Sequence, residues 1–312
     1  MNTVTAPLFS PPEPWSGRDD GPGPEHARWH SAISSASPAD GVALIGFASD
    51  EGVERNGGRQ GAARGPEALR AALGGLAVHD EYARFDAGTV TTQGDDLEGA
   101  QAELTGRVRD LASAGNLVVV LGGGHETSFA SHRGAREALG ALSVINFDAH
   151  FDLRQADRPT SGTPFKQIAD LAGDEFDYSV LGISRPNNTR VLFDTAAALG
   201  VRTVIDTDLE PLAAAECAQL ALDCVAGKRP IHLSIDLDLL PASVAPGVSA
   251  PAGLGVALDK VRAMVTAVAA TGRVALVDVV ELNPDFDIDS RTAKTAARLI
   301  DDIVNAHLSA RG

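Results

Sequence analysis

The chain has 312 residues, with 26 Lys and Arg against 42 Asp and Glu, a net charge of −16, and 44% hydrophobic residues. That length and apolar share suit one large folded domain or two modest ones, while the charge repels phosphate backbones and anionic lipid, which excludes nucleic acid and membrane surfaces as expected partners. No apolar run approaches the roughly 20 residues of a bilayer-spanning helix, and the start, MNTVTAPLFSPPEP, has neither a basic nor an apolar leader region, so the expected compartment is the cytoplasm.

Residues 1–40 begin with Pro11, Pro12, Pro14, Pro22 and Pro24 among glycines and charges, a composition too poor in apolar surface to order by itself, and they are expected to form an arm on the main domain. From Gly41 to residue 312 short β-branched runs alternate with longer Ala- and Leu-rich stretches. The expected strands are Val42 to Phe47, Leu117 to Leu121, Leu142 to Phe147, Tyr178 to Ile183, Arg202 to Asp206, Pro230 to Asp236 and Val274 to Val280. The expected helices are Pro66 to Leu73, Ala100 to Ala114, Phe129 to Leu139, Thr189 to Leu199, Pro211 to Ala226 and Leu258 to Ala270. Continuous apolar strands separated by helices imply a mostly parallel central sheet covered on both faces, a three-layer α/β/α sandwich. Cys217 and Cys224 make no disulfide framework and no thiolate metal set, and are expected as reduced residues of a helical region.

In an open α/β sheet ligands bind beyond the carboxyl ends of the strands, and four of those ends here are polar. One apolar run ends in Gly122-Gly123-Gly124-His125-Glu126, a second in Asp148-Ala149-His150-Phe151-Asp152, a third in Ser234-Ile235-Asp236-Leu237-Asp238, and a fourth passes Asp278 to reach Glu281 and Asn283. Side chains two apart on an extended or slightly curled chain point to one side, so Asp148, His150 and Asp152 can converge, and Asp236 and Asp238 repeat the spacing. Carboxylates crowded into one crevice cannot all stay ionised without a cation, which a divalent metal supplies better than a lysine. Oxygen and nitrogen ligands without thiolate favour Mn²⁺, with Ni²⁺, Fe²⁺ or Zn²⁺ behind it, and four carboxylates exceed the needs of one ion, so two ions with bridging carboxylates are expected. Taken singly, GGGH or Asp-x-Asp is more often a cap or turn; their joint occurrence at separate strand ends carries the metal reading. His30, His79, His132, His232 and His307 are left to ordinary surface, helix or core roles.

The blocks GGGHETS, NFDAHFDLR and SIDLDLLPASVAPGVSAPAGLG, in that order, resemble the signatures of the ureohydrolase (arginase/agmatinase) superfamily, over roughly Gly41 to the C-terminus. The resemblance implies the α/β/α fold and a binuclear manganese centre in which His125, Asp148, Asp152 and Asp236 hold one ion, and Asp148, His150, Asp236 and Asp238 the other. Within the superfamily, Trp15-Ser16-Gly17-Arg18-Asp19-Asp20, Asp50-Glu51-Gly52-Val53, Asn56-Gly57-Gly58-Arg59 and Leu239-Leu240-Pro241-Ala242 are similar to the formimidoylglutamase branch. Where arginases carry an Asn two residues beyond the DAHxD block this chain has Arg154, and Ser161-Gly162-Thr163-Pro164-Phe165 lacks the catalytic histidine of their following loop.

The implied reaction is hydrolysis of N-formimidoyl-L-glutamate to L-glutamate and formamide. Asp152 is expected to carry a proton to the leaving nitrogen, and Glu281 to hold the amidinium. Arg154 suits a substrate with two carboxylates, because a planar guanidinium grips a carboxylate through two parallel hydrogen bonds. Ser161, Arg59, Arg185 and Asn188 are further candidate substrate contacts. A guanidino-compound hydrolase releasing urea is the rival reading, and a metal-binding scaffold without catalysis is a third, against which stands the presence of every ligand and of Glu281. The family resemblance also implies a homo-oligomer.

Overall fold

The computed structural model describes residues 8–34, 36–37 and 39–311; the first seven residues of the expected arm lie outside them. Its strands are β1 (Phe9–Ser10), β2 (Ile33–Ser34), β3 (Val42–Ala48), β4 (Arg84–Thr91), β5 (Leu117–Leu121), β6 (Ser143–Phe147), β7 (Tyr178–Ile183), β8 (Arg202–Ile205), β9 (Ile231–Asp236) and β10 (Val274–Val280). The helices are α1 (Trp29–Ala32), α2 (Glu51–Arg55), α3 (Gly65–Gly74), α4 (Leu97–Ser113), α5 (Thr127–Leu139), α6 (Pro164–Ala172), α7 (Arg190–Ala198), α8 (Asp206–Leu209), α9 (Ala214–Cys224), α10 (Leu258–Ala269) and α11 (Arg291–Arg311).

The sheet runs β4-β3-β5-β10-β9-β6-β7-β8, all neighbours parallel, with β1 antiparallel and β2 parallel to the outer strand β4. Helices α3, α9, α10 and α11 pack together in one layer, and α4, α5 and α6 in another. Because side chains alternate along a strand, β5 serves both layers at once. Leu117, Val119 and Leu121 enter the larger core with Ile300 and Val304, whereas Val118 and Val120 enter the core with Leu104 and Ala130.

The chain passes from β5 to β6 over the top of β10 and β9, so the strand order reverses among these four, where an open sheet leaves its crevice. Their register is level: Leu121, Val279, Ile235 and Phe147 form one rung across β5, β10, β9 and β6. The residues one step beyond that rung are Gly122, Val280, Asp236 and Asp148. The polar blocks thus leave the sheet at one height.

Several elements depart from expectation for physical reasons. β4 is absent from the expected set because its buried positions include Arg84 and Asp86; each is neutralised in place, Arg84 by Asp80 at 2.7 Å and Asp86 by Arg70 at 2.8 Å. α11 and α6 were not expected either; α11 buries mostly alanines, Ala293, Ala296 and Ala297, ahead of Ile300, Ile303 and Val304, a weak apolar signal among charges. The helix expected from Pro211 to Ala226 starts only at Ala214, as α9, where the Glu216 carboxylate accepts the Ala213 N–H; ahead of it the short α8 begins at Asp206, the residue expected to end the preceding strand. Cys217 and Cys224 are free, buried residues of α9.

Candidate metal centre and active-site cavity

His125 follows the Gly triplet between β5 and α5. Its Nε2 meets Ser234 Oγ on β9 at 3.0 Å, so that a neutral ring with its proton on Nε2 would donate to Ser234 and turn the Nδ1 lone pair to the crevice. Around Nδ1 lie Asp148 Oδ2 at 3.1 Å, Asp152 Oδ2 at 2.9 Å and Asp236 Oδ2 at 3.1 Å. None is aligned for a hydrogen bond, and Nδ1 is buried without a partner. A lone pair aimed at three carboxylate oxygens is the geometry of a cation site.

Beyond Phe147 strand β6 gives way to a curl. The His150 N–H donates to Asp148 Oδ1 at 2.6 Å, and Asp152 takes a left-handed φ of 50°. The three polar side chains therefore converge through this curl and not by a continued strand, and a β-carbon residue held at positive φ stores strain of the kind found at functional sites. The His150 Nδ1 lies 3.1 Å from Asp238 Oδ2 and 3.6 Å from Asp148 Oδ1. Asp236 ends β9 and accepts the Asp238 N–H at 2.8 Å, which turns Asp238 toward the same crevice. Two groups of closely spaced ligand atoms result, His125, Asp148, Asp152 and Asp236 in one, Asp148, His150 and Asp238 in the other, with Asp148 common to both. Asp236 falls in the first group only.

The electrostatics of the bare site state the same demand. Burial opposes charge on His125, yet Asp148, Asp152 and Asp236 outweigh it and hold its pKa well above the ordinary imidazole range. Asp238 is the main cause, aided by Asp148, that pushes His150 up to about 12. Burial, then the charges of Asp238 and Asp148, raises Asp236 far above a normal carboxyl; burial and Asp148 raise Asp152 as well. Burial would also raise Asp148, but the two histidines beside it hold it low. A crevice that retains protons on imidazoles to offset its carboxylates has room for positive charge, and the nitrogen and oxygen donors fit divalent ions.

Glu281 closes the site from β10 at a left-handed φ of 67°, its Oε1 accepting the His125 N–H at 2.9 Å. Burial, with Glu126 and Asp238 nearby, raises its pKa to about 8. A cavity of about 240 Å³ opens over these groups, lined by His125, His150, Asp152, Asp236, Asp238 and Glu281 at its base and by Asn56, Arg154, Ser161, Asn188 and Ser249 among its walls. Arg154 is exposed there, and among the described residues no acceptor for its guanidinium is found. Ser161 accepts from Asn56 Nδ2 at 3.2 Å.

The remaining candidate contacts are placed differently. Arg59 is not brought to the cavity, because its guanidinium donates to Ser249 O at 2.9 Å and Val248 O at 2.6 Å and stacks over Phe286 at 3.8 Å. Arg185 is exposed against Phe193 at 5.6 Å and does not line the cavity. Asn188 lines it, yet its amide is spent on Ala149 O, Ser184 O and the Phe151 N–H. Sequence reasoning missed Ser234 as the partner of His125; the signal was available, since Ser234 and Asp236 are two apart on β9 and share a face. It also missed Glu126, whose buried carboxyl is raised to about 7 by burial. His132 of α5 and His232 of β9 form a separate buried pair, His232 Nε2 meeting Asp278 Oδ2 of β10 at 2.7 Å, as befits core histidines.

The site can be compared with known proteins on this basis. Residues 40–305 match the model of the Arginase family. The formimidoylglutamase of Corynebacterium efficiens is 50% identical over 304 residues, 96% of each chain, and that of Chromobacterium violaceum 48% identical over 293 residues, 91% of this chain and 95% of the relative. Among solved structures, Trypanosoma cruzi formiminoglutamase with Mn²⁺ superposes with a TM-score of 0.81 at 28% identity, covering 90% of this chain and 98% of that one. Proclavaminate amidino hydrolase from Streptomyces clavuligerus superposes with a TM-score of 0.77 at 27% identity, covering 88% and 94%. With a family model spanning most of its length and relatives near half identity end to end, the chain belongs to the arginase family.

Proposed function

We propose that the chain hydrolyses N-formimidoyl-L-glutamate to L-glutamate and formamide, the step of histidine degradation, at a centre of two divalent ions, Mn²⁺ foremost. The observation that carries the substrate is Arg154, a guanidinium without a protein acceptor on the wall of the cavity whose base holds the two ligand groups. His125, Asp148, Asp152 and Asp236 would hold one ion, and Asp148, His150 and Asp238, with Asp236 beside them, would hold the other. When bound, the ions supply Lewis acidity that makes a hydroxide nucleophile available near neutral pH.

The protein groups do the rest. Arg154 binds a substrate carboxylate in a bidentate pair, with Ser161 beside it, and so fixes the distance from that carboxylate to the base of the cavity. Glu281 faces the amidinium and holds it by charge-assisted hydrogen bonds; an amidinium in place of a proton also offsets the burial that raises the empty carboxyl. Asp152 takes the proton of the attacking water and passes it to the nitrogen that leaves as the amine of glutamate. The water oxygen ends as the carbonyl of formamide, so the one C–N bond broken is matched by the one C–O bond formed.

On the same reading residues 41–312 are the catalytic domain and residues 1–40 an arm, and the enzyme acts as a cytoplasmic homo-oligomer. No helix among the described residues is long and apolar enough to cross a membrane. The test is a parallel turnover assay of the Mn²⁺-loaded chain, scoring formamide from formimino-glutamate and urea from arginine, agmatine and guanidinobutyrate. Formamide alone is expected. Urea alone would overturn the substrate while keeping the metal hydrolase, and silence on all would return weight to a non-catalytic scaffold.

A further inference from the structure

Glu126 is the one buried carboxyl of the Gly122–Glu126 block that neither ligand group uses. Its Oε1 accepts from Ser49 Oγ at 2.9 Å and from the Gly52 N–H at 3.0 Å, while Oε2 has no partner among the described residues. The chain leaves a slot for it on two sides. A β-carbon on Gly52 would lie 2.4 Å from the Glu126 carboxyl carbon, and one on Gly124 2.1 Å from Oε2. Gly52 is thus explained by this side chain, and Gly124 by it together with Val53 Cγ2 at 2.6 Å, neither by a turn of its own.

What Glu126 holds is the start of the short helix α2, whose far end at Asn56 lines one wall of the cavity. The carbonyl of the same Gly52 accepts the Ser161 N–H at 3.0 Å, and the Arg154 N–H donates to Gly162 O at 2.9 Å. The Arg154 stem lies against Gly162, whose β-carbon would come 2.7 Å from Arg154 Cδ, and Asn56 Nδ2, one turn on from Gly52 at the end of α2, reaches Ser161 Oγ. A continuous set of short contacts thus runs from the Glu126 carboxyl through the Gly52 peptides to Ser161, Gly162 and Arg154. Ion-binding side chains are not links in it.

We propose that Glu126 is a positioning residue for substrate selection, its carboxyl fixing α2 at Gly52 and through it the Ser161–Gly162 turn against which Arg154 stands. The inference rests on the reading of the cavity as a formimino-glutamate site. A buried carboxyl that accepts two hydrogen bonds is costly to delete, since the Ser49 hydroxyl and Gly52 amide are left without an acceptor and α2 can shift to find water. A shift of that wall displaces Arg154 relative to the metal ligands and weakens substrate capture, while the ligand groups, anchored on β5, β6 and β9, stay in place.

The experiment compares Glu126→Gln, Glu126→Ala, Gly52→Ala and the double variant Gly52→Ala/Glu126→Ala, each as the full Mn²⁺-loaded chain, by metal content and by kcat and KM on formimino-glutamate. Glu126→Ala is expected to raise KM by about tenfold or more with metal content held and kcat changed far less. Glu126→Gln, which keeps an oxygen for Gly52 and Ser49, is expected to recover most of that loss. Gly52→Ala alone is expected to be damaging, and clearly less so once Glu126 is already Ala, because the tightest collisions it creates are with that carboxyl and only the contact with the residue-126 β-carbon at 2.8 Å remains. Loss of metal or a fall in kcat with KM unmoved, or additive damage in the double variant, would overturn the inference and place Glu126 with the metal centre or the bulk fold. If the Ala variants fail to fold, the Gln variant decides alone: wild-type KM supports the oxygen contact, and a metal defect overturns it. Absence of formamide release by the wild-type chain sinks the hydrolase reading and this inference together, whereas normal wild-type turnover with unmoved KM in Glu126→Ala sinks the inference alone.

Discussion

At Arg154 the guanidinium stands on the cavity wall without a protein acceptor, whereas the neighbouring candidate Arg59 spends its donors on Val248 and Ser249 carbonyls. A hydrogen bond to an ionised group contributes roughly 1.5–3 kcal/mol, so losing the worth of even one in Arg154→Ala should raise KM for formimino-glutamate by about 10- to 100-fold. Arg154→Lys should recover only part of it, because an ammonium is a point charge and cannot match both carboxylate oxygens. Steady-state kinetics on the two variants test this, and an unmoved KM would remove Arg154 from substrate binding. Asp148 differs from its fellow ligands in belonging to both groups of donor atoms. Asp148→Ala should therefore drop bound Mn²⁺ to below one ion per chain by elemental analysis, while Asp238→Ala should leave one ion, held by His125, Asp148, Asp152 and Asp236. Activity should fall in both by at least the 10- to 100-fold typical of damage one shell further out.

Elements set where those residues can meet, and the arm shows how a weakly patterned segment is held to the sheet. Trp29 is fully buried, its Nε1 donates to Asp301 Oδ1 on α11 at 2.8 Å, and Arg84 of β4 stacks on its ring at 4.9 Å. Trp15 Nε1 similarly donates to Asp86 Oδ2 at 2.7 Å. Trp29→Ala removes the ring from between β4 and α11 and should destabilise the protein by about 3–5 kcal/mol, seen as a lower urea midpoint with the metal content unchanged. The sequence revealed the inner strands almost to the residue, since β5, β7 and β10 bury side chains on both faces and have no choice but to be apolar. It concealed β4, whose inward positions carry charges made acceptable only by Arg70 and Asp80, partners that folding brings into place. The same contrast governs the site. Asp148, Asp236 and Glu281 were legible because a carboxylate ending an apolar run has no packing reason to exist. The idle donors of Arg154 and the spent donors of Arg59 look alike in a string of letters, and only the positions of Val248 and Ser249 tell them apart.

For the whole molecule, a net charge of −16 and a core of clustered carboxylates make the metal-free state dependent on pH in a definite sense. His125 and His150 are held above the ordinary imidazole value, so the stability they confer is complete below about pH 6.5 and is lost as pH climbs toward their folded values. Glu281, raised to about 8 by burial, resists ionisation in the folded chain, and that penalty grows from the unfolded carboxyl range up to about pH 8. Asp148 acts oppositely: held low by His125 and His150, it adds stability that disappears only in acid. Between about pH 5 and 9 the first two effects dominate, so a chelator-stripped sample should lose Tm steadily as pH rises, by about 1.5–2 °C for each kcal/mol. Bound divalent ions replace the retained protons, and their affinity rises with pH because ligands must be deprotonated to bind. The Tm difference between Mn²⁺-loaded and stripped protein should therefore widen from pH 6 to pH 9 in calorimetric scans, and a gap that narrows over that range would mean that the carboxylates of this crevice are neutralised by something other than the ions assigned to it.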